Sequence, residues 1–107
     1  MSKAVSKPDK VSIMAAMQAS VSDLRKFGIT TIGLFGSFVR GEATQESDID
    51  ILVEFDPAQK TFNQFMEACF FLEELFQRDV ELVTRESLSP YLKDAILKEI
   101  EYVPFTN

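Results

Sequence analysis

Between about Lys10 and Phe27, Met14, Met17, Val21 and Leu24 recur at alternating steps of three and four, the repeat of an amphipathic helix. Gly28 stands where a helix C-cap belongs. TTIGLFG, residues 30–36, is a β-rich run that predicts a buried strand. The polar connection GEATQES leads to DIDILVEF, residues 48–55, where Ile49, Ile51, Val53 and Phe55 alternate with Asp48, Asp50, Leu52 and Glu54. Alternation of period two predicts a strand with one apolar face and another that begins with two carboxylates. Pro57 closes it, and Phe62, Phe65, Met66, Cys69, Leu72 and Phe76 then fall at helical spacing over residues 61–76. VELV, residues 80–83, is a short third strand, and Ser89–Pro90 opens a last helix to about Glu101, with Leu92, Ala95, Ile96 and Ile100 on one stripe. Residues 1–9, polar and interrupted by Pro8, read as a flexible tail before a single domain over 10–107. The order helix, strand, strand, helix, strand, helix predicts an α/β (α+β) fold, a small mixed β-sheet with helices covering one side.

Composition fits one domain of 107 residues, with Leu, Ile, Val and Phe numbering 34, enough apolar surface to exclude disorder. The Met14–Leu24 stripe is core by this reading, and Cys69, on the apolar face of its helix, is a small buried hydrophobe. Phe70 and Phe71 are adjacent and cannot face one core together, so one of them is expected at the surface, available to a protein interface. Glu73, Glu74, Glu99 and Glu101 read as solvated helix surface. The net charge of −6 argues against a groove that tracks polynucleotide phosphates. One cysteine excludes an intramolecular disulfide and a multi-Cys zinc site, and the absence of histidine excludes Ser-His-Asp and Cys-His schemes. No run approaches the ~18 apolar residues of a membrane span, and the start lacks a convincing signal peptide, so the expected location is cytoplasmic.

The chemistry left to such a chain rests on carboxylates, hydroxyls and a few cations. Gly36–Ser37 follows a predicted strand, and glycine there lets the backbone approach a phosphate closely while Ser37 offers its hydroxyl. Asp48 and Asp50, two apart on a strand, leave the same face and can share a cation. Glu81 is an acidic residue among the apolar positions of the third strand. Two carboxylates about 5 Å apart repel by roughly 3 kcal/mol at an effective dielectric near 20, so a cation must bind or a pKa must rise. Histidine-free oxygen ligation suits Mg²⁺, which keeps positions open for substrate phosphates. Two such ions can activate a hydroxyl and stabilise departing pyrophosphate, a construction suited to nucleotidyl transfer. Taken singly, each feature also fits an ordinary turn, an edge strand or a surface residue; their spacing is what unites them.

Gly-Ser, ten intervening residues and Asp-hydrophobic-Asp-hydrophobic resemble the signature of the DNA polymerase β-type nucleotidyltransferases. More closely, GSFVRGEATQESDIDILVEF resembles the minimal nucleotidyltransferase (MNT) proteins, and the likeness extends over roughly residues 20–105. The resemblance implies a nucleotidyltransferase-like fold in which Gly36 and Ser37 hold the nucleotide phosphates and Asp48 and Asp50 ligate metal, two Mg²⁺ ions in all. Glu81 matches a third carboxylate that ligates metal and helps deprotonate the acceptor; the family usually has Asp there. Arg40 matches a phosphate contact or a salt-bridge partner beside the site, and Ser47 either orients the loop or joins the nucleotide contacts. Members of this group commonly pair with a HEPN-domain toxin as its antitoxin, and some transfer AMP from ATP to a tyrosine of that toxin. The implied partners are thus ATP and a HEPN protein in a hetero-oligomer, with no nucleic acid and no membrane. An antitoxin that neutralises its partner by binding alone stays open as a second reading.

Overall fold

The computed structural model describes residues 8–105; the expected tail, apart from Pro8 and Asp9, lies outside the described residues. Asp9 belongs to the first helix, because its carboxylate accepts the Ser12 N–H at 2.7 Å while the Ser12 hydroxyl accepts the Asp9 N–H at 2.9 Å. That capping box starts α1 (Lys10–Ala19), which stops ten residues on, short of the single helix the spacing predicts. Ser20 breaks it: its N–H bonds three residues back to the Met17 carbonyl, and its own carbonyl accepts from Leu24 to start α2 (Val21–Lys26). The break leaves the predicted stripe largely intact, with Met17, Val21 and Leu24 buried and Met14 packed against the core. Gly28, at φ +88°, turns the chain out of α2 as expected.

Strand β1 (Ile29–Phe35) runs antiparallel to β2 (Ile49–Phe55), and β2 runs parallel to β3 (Val80–Thr84). A fourth strand, β4 (Glu101–Tyr102), pairs antiparallel with Gly33 and Leu34 of β1, giving the sheet order β3-β2-β1-β4. Two residues are too few for alternation to announce a strand, and the sequence predicts helix there instead. Ile32, Leu34, Ile51, Val53 and Leu82 point to one face, where α1, α2 and α4 (Phe62–Phe76) cover them. Thr61 caps α4 by accepting the Gln64 N–H, and Ala68, Leu72 and Phe76 supply its buried face. Full burial of side chains such as Leu72 and Phe76 stabilises the fold by about 1.5–3 kcal/mol each. Of the adjacent rings, Phe71 packs on the core with its centroid 5.5 Å from Phe27, and Phe70 is exposed. Phe62, expected on the apolar stripe, is also exposed. Cys69 is half-buried against the core.

The second face of the sheet is covered in part, around Gly33 and Leu52, where a one-sided arrangement leaves it open. Leu52, placed by alternation on the polar face, is fully buried there opposite Gly33. A Cβ at Gly33 would meet Ile100 Cδ1 at 2.7 Å, so the missing side chain is what lets the end of α5 (Pro90–Glu99) lie on the strand. Ser89 caps α5 and Pro90 opens it, as the sequence predicts, but the helix contributes no fully buried residue. Ile96 and Ile100 are half-buried, whereas Tyr91, Leu92 and Ala95 stay in solvent.

Candidate functional site

The predicted site residues converge at one end of the sheet. β1 ends at Phe35, which pairs with Asp50 of β2, and Asp50 pairs in turn with Glu81 of β3. Cross-strand partners share a face, so parallel pairing puts the Asp50 and Glu81 carboxyls side by side. Immediately after Phe35, Gly36 takes φ +82° and is buried; a Cβ there would collide with the Asp50 carboxylate. Only glycine allows the turn and the second strand to come so close. Ser37 then starts the single turn α3 (Ser37–Arg40), with the Val39 and Arg40 N–H groups bonded back to the Gly36 carbonyl.

Asp50 carries the electrostatic signature of the site. Its pKa is pushed up to about 6, first by burial, then by the negative charges of Glu81 and Asp48 and a hydrogen bond shared with Glu81. Arg40 pulls the other way and only partly offsets these effects. Asp48, expected as the first residue of the strand, precedes β2 and is exposed; it feels Asp50 through charge, not through a shared strand face. Among the described residues, no three of Asp, Glu, Cys or His stand together as a ready metal cage. The donor set nevertheless fits a hard divalent cation: Asp50 and Glu81 are oxygen donors side by side on paired strands, and a cation between them would offset the repulsion that raises the Asp50 pKa.

Arg40 is a salt-bridge residue here. Its Nε donates to Glu42 at 2.9 Å, and its Nη1 donates to both Glu99 oxygens at 3.0 and 3.2 Å. Ser47 organises the loop: its hydroxyl accepts the Thr44 N–H at 2.8 Å. Arg78, which the sequence reading passed over, donates to the carbonyls of Thr44 at 3.2 Å and Ser47 at 2.9 Å while lying over the Phe38 ring. It thereby pins the segment that delivers Asp48.

The acidic residues assigned to solvated surface are mostly engaged. Glu99 accepts the Gly36 N–H at 2.7 Å besides holding Arg40, Glu101 pairs with Lys10 at 2.9 Å, and Glu73 accepts the Val80 N–H. Helical periodicity places a residue on a face but says nothing of a partner more than sixty positions away. A cleft of about 880 Å³ lies between α3, the following loop and the start of α1, lined by Phe38, Arg40, Thr44 and Arg78. It contains none of the carboxylates that face Asp50, so the site is located by the charged row and the Gly36 turn rather than by the cleft.

Residues 17–103 match the model of the nucleotidyltransferase domain family. The chain is 40% identical over 92 residues to protein adenylyltransferase MntA of Thermococcus cleftensis, covering 85% of this chain and 92% of that protein. It superposes on a solved structure assigned as a minimal nucleotidyltransferase with a TM-score of 0.77 and 31% identity, covering 91% of this chain and 98% of that one. A toxin–antitoxin crystal structure with AMP-PNP is similar at TM-score 0.65 and 25% identity, covering 84% and 74% of the two chains. This chain, with its Gly-Ser turn set against paired strand carboxylates and matched over most of its length by these relatives, belongs to the nucleotidyltransferase domain family and, within it, to the minimal nucleotidyltransferases.

Proposed function

We propose that this chain transfers AMP from ATP to a hydroxyl of a partner protein, a tyrosine of a HEPN ribonuclease toxin, and so serves as the antitoxin of that pair. The observation that carries the reading is the Asp50–Glu81 pair set against the Gly36 turn, a half-buried carboxyl beside a second carboxyl at the foot of a glycine turn that leaves it room. The adenylyltransferase activity named for the Thermococcus relative and the AMP-PNP bound by the similar toxin–antitoxin complex support it.

In this reaction the acceptor oxygen bonds to the α-phosphorus of ATP, the bond from that phosphorus to the bridging oxygen breaks, and pyrophosphate leaves with the electron pair. Asp48, Asp50 and Glu81 would hold divalent cations, which when bound neutralise the triphosphate and the leaving pyrophosphate. Ser37, through its hydroxyl and the backbone beside it, holds the triphosphate against β2. Arg40 lends positive charge at the rim of the site. Glu81, at the solvent side of Asp50, takes the proton released by the acceptor hydroxyl. Its extra methylene relative to aspartate lengthens its reach toward a hydroxyl that arrives on another polypeptide.

Intact mass of the partner, after incubation with this chain, ATP and Mg²⁺, tests the proposal. Added AMP units that disappear with Asp48→Ala are the expected result. An unmodified partner that is nonetheless silenced in a stable complex would replace transfer by neutralisation through binding alone.

A further inference from the structure

The strongest contact at the Gly36 turn comes from the far end of the chain. Glu99 is the last residue of α5; its Oε2 accepts the Gly36 N–H at 2.7 Å, and both its oxygens take the Arg40 Nη1. One carboxylate thus ties the backbone at the start of the turn, Gly36, to the guanidinium at its end, Arg40, four residues on. Its side chain is largely shielded, at 23% exposure, against 47% for Arg40.

Two roles fit an anion at this place. It is either a stand-in for phosphate that leaves when nucleotide arrives, or a fixed strut that shapes the turn. The frame around it decides. Ile100, the next residue, sits on Gly33, and Glu101 pairs with Leu34 in β4 and bonds to Lys10 of α1. A residue whose neighbours are held by a sheet pairing, an apolar seat and an ion pair has little freedom to swing away. A stand-in would also need donors that nucleotide then inherits, whereas the Gly36 N–H is directed at α5.

We infer that Glu99 is a positioning residue for nucleotide binding: it holds Gly36 and Arg40 so that Ser37 presents its hydroxyl and backbone to the triphosphate. The inference rests on the nucleotidyltransferase reading and assigns Glu99 no contact with substrate. Gly36 accordingly contributes its conformation and its thinness, and its N–H serves the strut.

The test uses the full chain with Glu99→Ala and Glu99→Gln, Mg-ATP as the probe, and two readouts. Amide exchange of Gly36 reports the strut, with Ile51 and Leu82 in the sheet as internal references. Calorimetric titration of Mg-ATP reports positioning. Glu99→Ala is expected to lose Gly36 protection by about tenfold or more, leave Ile51 and Leu82 unchanged, and weaken Mg-ATP binding about tenfold. Glu99→Gln keeps an oxygen for the Gly36 N–H but not the charge for Arg40, so it is expected to restore most of the protection and part of the affinity. If Glu99→Ala loses Gly36 protection yet binds Mg-ATP as well as or better than wild type, the positioning role is overturned, and tighter binding identifies the stand-in instead. If wild type itself binds no Mg-ATP, the nucleotidyltransferase reading falls and takes this one with it.

Discussion

Removing the charge of Asp50 should make the protein more stable while abolishing its chemistry. The Asp50 carboxyl titrates near 3.8 in an unfolded chain and is pushed up to about 6 in the fold. At about 1.36 kcal/mol per unit this corresponds to roughly 3 kcal/mol of strain carried by the ionised form. Asp50 is only half-buried, so solvent screening reduces the figure to about 1–2 kcal/mol. Asp50→Asn removes the charge, keeps the shape and supplies an amide N–H to Glu81. For a domain of this size, 1–2 kcal/mol raises Tm by roughly 5–10 °C. The pH dependence fixes the sign. Above about pH 6 the wild-type group is ionised in both states and the folded form bears the whole penalty. Between pH 6 and 4 the folded form holds a proton that the unfolded chain releases, so wild-type stability from this group rises as pH falls. Melting curves of both proteins at pH 7.5 and pH 4 should show a wide gap that nearly closes at the lower pH. A variant no more stable than wild type at pH 7.5, or a gap equally wide at both, would refute the account of Asp50.

Four further outcomes follow from the same geometry. Mg²⁺ at about ten times its Kd should stabilise wild type by about 1.4 kcal/mol and leave Asp50→Asn unmoved, as read from melting curves with and without chelator. Gly36→Ala should cost about 2–4 kcal/mol, because position 36 has positive φ and its Cβ meets the Asp50 carboxylate; denaturant titration measures it. Arg78→Ala should lower AMP transfer about tenfold, roughly 1.4 kcal/mol in the barrier, by releasing the Thr44–Ser47 loop, with a stability loss of only about 1–2 kcal/mol. Phe70→Ser should stay within about 0.5 kcal/mol of wild type and weaken the complex with the partner protein, whereas Phe71→Ala should lower stability by about 2 kcal/mol, so thermal melts and pull-downs separate the two rings.

What could be read from the chain beforehand, and what could not, follows from the range of the interactions involved. Alternation reports side-chain direction within one strand, so β2 and its acidic positions were visible, and the parallel β2–β3 pair then brought Glu81 beside Asp50. The same alternation misjudged Leu52, because the face it points to is made apolar by Gly33 and Ile100, residues from two other elements. It also placed Asp48 on the strand, where the loop held by Arg78 keeps it just outside. Caps follow local rules, as at Gly28 and the Ser89–Pro90 start, whereas the Asp9–Ser12 capping box is hidden by the polar run that precedes it.

Glu99 marks the limit of such reading and also explains it. On its helix it is one acidic residue among several, and its partner in the Gly36 turn lies 63 positions earlier. No local pattern encodes that distance; it arises because β4 pairs with β1 and draws the end of α5 across the turn. A phosphate-holding turn is short, rich in polar backbone and poor in buried side chains, so it cannot stabilise its own shape. Something anchored in the sheet must hold it, and the anchor comes from whichever segment topology places alongside. In this chain that segment is the last helix and strand, so stiffness at the Gly36 turn should depend on residues such as Ile100 that never approach the nucleotide. Replacing Ile100 by Ala would uncover Gly33, loosen β4 and, through Glu99, weaken Mg-ATP binding together with stability. Binding that stayed at the wild-type level in a destabilised Ile100→Ala protein would separate the turn from its anchor.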